Sequence, residues 1–155
     1  MHEISIILYN IRSAYNVGSI FRTADAAGVM RLYAVGHTPT PVDRFGRAQS
    51  DIAKTALGAE KTVPWEYVED MHVLIQRLQH ERTAIVAVEQ HPDAIDYKTY
   101  TICGDTAFVF GNEVDGLPHD VCAQADTIVE IPMRGNKESL NVSVSVGVVL
   151  FGLIR

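Results

Sequence analysis

Three segments of the chain gather the side chains able to bind and act on a ligand. They are "NIRSAYNVGSIFRTADAAG" (10–28), "GNEVDGLP" (111–118) and "PMRGNKESLNVS" (132–143). Asn16, Arg22, Glu113, Ser139 and Asn141 stand out among them: two amides, a guanidinium, a carboxylate and a hydroxyl, with glycines interspersed. These are hydrogen-bonding groups, not a metal-ligand set. There is no HExxH and no cluster of carboxylates, so no metal is expected, and the six histidines are scattered and read as surface or core residues. Common nucleotide motifs are also missing. No two of the eleven glycines lie two residues apart, which excludes GxGxxG and GxGxG and argues against a dinucleotide-binding Rossmann unit. Gly111 and Gly116 have P-loop spacing, but Leu117-Pro118 follows where Gly-Lys-Ser/Thr would be needed.

Each of the three segments follows a short apolar run that reads as a buried strand: "ISIILY" (4–9), "TAFVFG" (106–111) and "TIVEIP" (127–132). "RLYAV" (31–35) and "TAIVAVE" (83–89) add two more. Helical segments lie between them. Residues 16–28 form one, with Asn16 as N-cap, Gly28 at C′ and an apolar face of Val17, Ile20, Phe21, Ala24 and Ala27. Others are expected near 50–57, over 70–82 and from Pro118 to Ala125, while 36–49 is a Pro/Gly-rich loop. Strands alternating with helices predict an α/β domain with a mostly parallel sheet flanked by helices. In such sheets ligands bind at the carboxyl ends of the strands, where the three segments would fall.

The C-terminal stretch "SLNVSVSVGVVLFGLIR" (139–155) is ambiguous. Val142, Val144, Val146 and Val148 alternate with small residues, a strand period, yet 17 residues exceed an ordinary strand. As a helix it would carry Leu140, Val144, Val148 and Phe151 on one face. Periodicity alone leans to strand.

Taken in order, the three segments resemble the SpoU–TrmH family of RNA ribose 2′-O-methyltransferases, within the SPOUT superfamily. The matching residues are Asn16, Gly18, Arg22, Thr23 and Gly28, then Gly111, Asn112, Glu113, Gly116 and Leu117. The third set is Ile131-Pro132-Met133 followed by Ser139-Leu140-Asn141-Val142-Ser143. The resemblance spans essentially the whole chain. It implies a single SPOUT domain over 1–155 and a final segment that is a loop running into a helix through a deep trefoil knot; the separate RNA-binding domain that relatives often carry is not expected in these residues. It also implies a homodimer and S-adenosyl-L-methionine as cofactor, with S-adenosyl-L-homocysteine as product. Cofactor-binding residues carried over are Val88, Glu89, Gly111, Asn112, Gly116, Ile131, Pro132, Met133, Ser139, Leu140 and Asn141.

The catalytic set implied is Arg22, Asn16, Glu113, Ser139 and Asn141. A guanidinium is a poor base, since its pKa exceeds about 12, but it can hold a phosphate bidentately and stabilise an alkoxide. Each residue also has a plain structural role open to it. Arg22 could pair with Asp25 on the helix surface. Asn16 and Ser139 could be N-caps, while Asn141, falling inside the first turn, has less structural reason to be there. Glu113 is either a loop acid or a group orienting Arg22 or Asn141. Arg12, Arg44, Arg47 and Lys54 are the expected RNA contacts, with Phe45 as a stacking face. A solvated loop explains the same residues. A minimal domain suggests tRNA first and rRNA second. A non-catalytic RNA-binding or assembly factor on the same fold is the alternative, disfavoured because Arg22 and Asn141 are both present.

Net charge is −6, unlike the usual nucleic-acid binder. The average conceals a segregation. Residues 10–61 hold seven Lys/Arg against four acids, 133–155 hold three against one, and 62–132 hold three against thirteen acids. If the two ends meet in space, a basic patch survives the acidic total. There is no secretory signal, no apolar run of membrane-spanning length and no CxxC. A cytoplasmic protein with two buried free thiols, Cys103 and Cys122, is expected.

Overall fold

The computed structural model describes residues 1–155. Seven strands form one sheet: β1 (Ile4–Tyr9), β2 (Arg31–Val35), β3 (Trp65–Val68), β4 (Ala84–Val88), β5 (Ile95–Asp96), β6 (Thr106–Phe110) and β7 (Thr127–Glu130). Their spatial order is β3-β2-β1-β6-β4-β7-β5, and every pairing is parallel. The helices are α1 (Ala14–Ala27), α2 (Ser50–Ala56), α3 (Ala59–Thr62), α4 (Met71–His80), α5 (His119–Gln124) and α6 (Val142–Leu153).

Both sheet faces are covered, which explains why the strands read as near-continuous apolar runs. Ile6, Leu8, Phe108 and Phe110 point to one face, against Val17, Ile20 and Phe21 of α1, Ile52 of α2 and Val146 and Val149 of α6. Ile7, Ala107 and Val109 point to the other, against Leu74 and Ile75 of α4 and Val121 of α5. The α/β expectation holds, and the predicted strands and helices are present. β3, β5 and α3 are additional; each is only two to four residues long and falls below what periodicity resolves.

Four details correct the sequence reading. First, α1 begins at Ala14, and its N-cap is Ser13, whose Oγ accepts from the Asn16 backbone N–H at 3.2 Å. Asn16 is therefore inside the first turn, with its side chain free for another partner. Gly28 does terminate the helix, at φ 72°. Second, 142–153 is helical, and its N-cap is Asn141, not Ser139; the Asn141 Oδ1 accepts from the Ser143 N–H at 2.9 Å. Third, α6 buries Val142, Val146, Val149 and Leu150 at helical spacing, while Val144 is 49 % and Phe151 61 % exposed. The expected face of Leu140, Val144, Val148 and Phe151 is mostly the outer one. Complete burial of Val149 and Leu150 stabilises the helix by about 1.5–3 kcal/mol each, and this packing overrides the alternating Val/Ser pattern. Fourth, Cys103 is exposed; only Cys122 is buried.

Candidate active site

A cleft of about 450 Å³ opens at the carboxyl ends of β4, β6 and β7, with the start of α6 as its remaining wall. Val88 pairs with Phe110 on one side and Val129 on the other, so the loops leaving the three strands emerge side by side. Of the expected cofactor residues, Val88, Glu89, Gly111, Asn112, Gly116, Ile131, Met133, Ser139, Leu140 and Asn141 line it. Pro132 does not. Gln90, Val114, Glu138 and Ser145 also line it and were not singled out from the sequence. Ser145 had a signal, one helical turn after Asn141; Gln90 had none.

The 111–117 loop is a tight turn built on one amide. Asn112 Oδ1 accepts from the N–H groups of Val114 (2.8 Å) and Asp115 (2.7 Å), and Gly116 N–H donates to the Asn112 carbonyl at 3.1 Å. Two positions require glycine. A Cβ on Gly111 would lie 2.3 Å from the Gly116 carbonyl carbon, and Gly116 sits at φ 66°. Buried Leu117 anchors the end of the turn in the core.

This turn projects Glu113 towards the start of α1. Its carboxylate accepts from the Asn16 side-chain amide (3.1 Å) and from the backbone N–H groups of Arg12 (3.2 Å) and Ser13 (3.4 Å). Asn16 Oδ1 in turn accepts from Asn141 Nδ2 at 3.3 Å. Glu113, Asn16 and Asn141, from three distant parts of the chain, therefore form one line of hydrogen bonds at the cleft mouth. Glu113 is exposed, and the partial loss of water around its carboxyl pushes it up, but its own N–H, Asn16, Arg12 and Ser13 outweigh this and hold it below the usual carboxylate range. The carboxylate also lies at the N-terminus of α1, where the helix dipole favours negative charge. Glu113 thus orients Asn141 through Asn16, and it makes no contact with Arg22.

Arg22 projects from α1 into solvent with neither an ion pair nor a hydrogen bond. The surface pairing with Asp25 is absent; Asp25 instead accepts from the Thr62 hydroxyl at 2.8 Å. Arg22 lies six residues after Asn16, roughly 9 Å along the axis, and does not line the cleft. The neighbouring Thr23 faces Gly147 of α6, so Arg22 stands beside the α1–α6 seam. Of the basic residues expected to meet RNA, Arg12 pairs with Asp115 (3.6 Å), Arg47 with Asp43 (3.0 Å) and Lys54 with Asp51 (3.5 Å). All are exposed pairs of small energetic worth that a phosphate can displace. Arg44 has no acid partner; its guanidinium lies 4.8 Å from the Phe45 ring centre, with Arg47 at 5.0 Å.

The fold is thus a wholly parallel α/β sheet with a cleft at its strand ends, walled by loops and by one glycine turn. The chain belongs to the SpoU rRNA Methylase family, whose family model matches residues 3–151. It is 33% identical over 150 residues to a 23S rRNA (guanosine-2′-O-)-methyltransferase of Ralstonia nicotianae, covering 97% of this chain and 57% of that protein. It is 32% identical over 149 residues to a tRNA (guanosine(18)-2′-O)-methyltransferase of Thermus thermophilus, covering 96% and 73%. The SpoU methyltransferase AviRb from Streptomyces viridochromogenes, solved with the cofactor AdoMet, superimposes with a TM-score of 0.86 at 25% identity, over 99% of this chain and 60% of that one. The chain thus spans between about half and three quarters of the length of these relatives. No helix is long and apolar enough to cross a membrane.

Proposed function

We propose that this chain transfers a methyl group from S-adenosyl-L-methionine to a ribose 2′-hydroxyl of RNA. The observation that carries the proposal is the hydrogen-bond line Glu113–Asn16–Asn141, which joins all three sequence motifs at one cleft mouth. The cleft fits the cofactor. Its volume lies in the range of small-molecule sites. Val88, Ile131, Met133 and Leu140 give apolar walls suited to an adenine, and the glycine turn brings backbone close to a ligand. Bound there, S-adenosyl-L-methionine supplies a methyl on a sulfonium that is already a good leaving group, so no metal is required.

The residues of the chain supply alignment and charge. Asn16 and Asn141, fixed by Glu113, present amides where a ribose can be oriented. Arg22 has no internal partner and offers both guanidinium edges to an RNA phosphate and to the developing alkoxide. It stays protonated throughout, so the hydroxyl proton leaves to a phosphate or to water. Phe45 beside the Arg44 and Arg47 guanidiniums, with Arg12 and Lys54, provides a surface for bases and phosphates. tRNA is the first RNA class to test and rRNA the second, matching the named substrates of the two relatives.

The working form proposed is a homodimer joined through the outer face of α6, where Phe151 and Val144 are exposed. The proposed path of 139–153 beside the 111–117 turn is a trefoil knot, as the resemblance implies.

The test is transfer of radiolabelled methyl from S-adenosyl-L-methionine into bulk tRNA and into rRNA, with Arg22→Ala alongside. Label in one pool, lost in the variant, supports the proposal. A dimer that binds cofactor yet labels neither pool sinks it in favour of a non-catalytic RNA-binding role.

A further inference from the structure

The end of β4 carries two side chains that reach in opposite directions. Glu89 N–H continues the sheet towards β7, donating to the Val129 carbonyl at 3.0 Å. The Glu89 carboxylate turns the other way, towards the loop after β6, and Oε2 accepts from the Leu117 N–H at 2.7 Å. Its second oxygen accepts from the Gln90 N–H at 2.9 Å. Gln90 then sends its side-chain amide to the Ile131 carbonyl at 2.9 Å. Adjacent residues therefore hold the 111–117 turn and the loop after β7, the two loops that flank the cleft.

The chemistry at 89 is restrictive. Two backbone N–H groups converge on one side chain, and only a carboxylate accepts at both oxygens. A glutamine would set its own N–H₂ against one of them. No Lys, Arg or His forms an ion pair with Glu89, and within the chain its charge meets these two N–H dipoles. The fit against the turn is tight: a Cβ on Gly116 would come within 2.3 Å of Glu89 Oε2.

We propose that Glu89 and Gln90 form a double latch that sets the spacing of the two cofactor loops. Glu89, carried over above as a cofactor contact and placed on the cleft wall, is on this proposal a positioning residue acting through the Leu117 N–H. What the loops bind rests on the function proposed above; the latch itself does not.

The test combines amide hydrogen exchange on the ligand-free protein with titration of S-adenosyl-L-homocysteine into wild type, Glu89→Ala, Glu89→Gln and Gln90→Ala. Glu89→Ala is expected to speed exchange at Leu117 and across 112–117 and to weaken binding about tenfold, the worth of a charge-assisted hydrogen bond. Glu89→Gln, keeping one acceptor, falls between on both readouts and remains informative if the alanine variant folds poorly. Gln90→Ala loosens 131–133 while Leu117 stays protected. In methyl transfer, Glu89→Ala raises the KM for cofactor, and kcat recovers towards wild type at saturation. Unchanged exchange at Leu117 in Glu89→Ala overturns the latch, as does weakened binding without loosening of the turn, the mark of a direct ligand. Wild type that takes up no S-adenosyl-L-homocysteine while Glu89→Ala still loosens the turn upholds the latch and sinks the cofactor reading instead.

Discussion

Replacing Glu113 by alanine should damage activity far more than stability. Three N–H groups lose their acceptor: Asn16 Nδ2 and the backbone amides of Arg12 and Ser13, at 3.1, 3.2 and 3.4 Å. Buried, each bond to a charged acceptor would contribute about 1.5–3 kcal/mol. Glu113 is exposed, so each is discounted to the few tenths typical of surface pairs, with about 0.5 kcal/mol added from the α1 dipole. The total is about 1–2 kcal/mol, a fall in Tm of roughly 2–8 °C for a domain of this size. Methyl transfer should fall by about 100-fold, because Asn16 and Asn141 lose the group that fixes them and catalysis is sensitive to ångström-scale misplacement. Glu113→Gln should lie between, keeping an acceptor but not the charge. Thermal melts and single-turnover methyl transfer measure the two quantities on the same samples. A variant whose Tm falls as expected while transfer stays within severalfold of wild type would refute the reasoning. Glu113 would then be only a cap for α1. The pH dependence gives a second check. A depressed carboxyl contributes stability that is complete above the ordinary Glu value of 4.5 and is lost as pH falls through the lower folded value. The stability difference between wild type and Glu113→Gln should therefore shrink only in that acid range.

Gly111→Ala drives a methyl to 2.3 Å from the Gly116 backbone, and should cost about 1–3 kcal/mol and abolish the rise in Tm that S-adenosyl-L-homocysteine gives wild type in a thermal-shift assay. His72, clamped between Gln124 Oε1 and Asp120 Oδ2, has its pKa raised, chiefly by the Gln124 hydrogen bond and then by Asp120. A raised pKa gives stability present below the ordinary His value and lost as pH climbs through the folded one. The Tm advantage of wild type over His72→Gln should accordingly be larger near about pH 6 than near about pH 9. Phe151→Glu places a charge on the outer face of α6 and should convert the proposed dimer to a monomer in light scattering after size exclusion, leaving the melt of the monomer cooperative.

The sheet was legible because its strands are buried on both faces and therefore read as apolar runs bounded by glycine, proline or polar residues. The caps were less so. Asn16 and Ser139 each have the residue type of an N-cap, but Ser13 and Asn141 hold the positions, and nothing local distinguishes neighbouring polar residues at a helix start. The two errors bear on function in different ways. Moving the cap to Ser13 frees the Asn16 side chain to bridge Glu113 and Asn141. Moving the other cap to Asn141 gives that residue a structural duty as well, through Oδ1 to Ser143, while Nδ2 faces Asn16. The outer face of α6 misled because its most exposed residues, Val144 and Phe151, are apolar, and sequence does not reveal whether an apolar stripe meets its own sheet or another molecule. Gln90 was invisible for a simpler reason. Its work is a single hydrogen bond to a carbonyl 41 residues away, fixed by β4 lying next to β7.

The measurement that bears most directly on the central claim is alkaline hydrolysis of RNA methylated by this protein, with the label carried in the methyl group. A methylated 2′-oxygen cannot attack the adjacent phosphate, so the account predicts label in an alkali-resistant dinucleotide. Label released as mononucleotide would place the methyl on a base and contradict it.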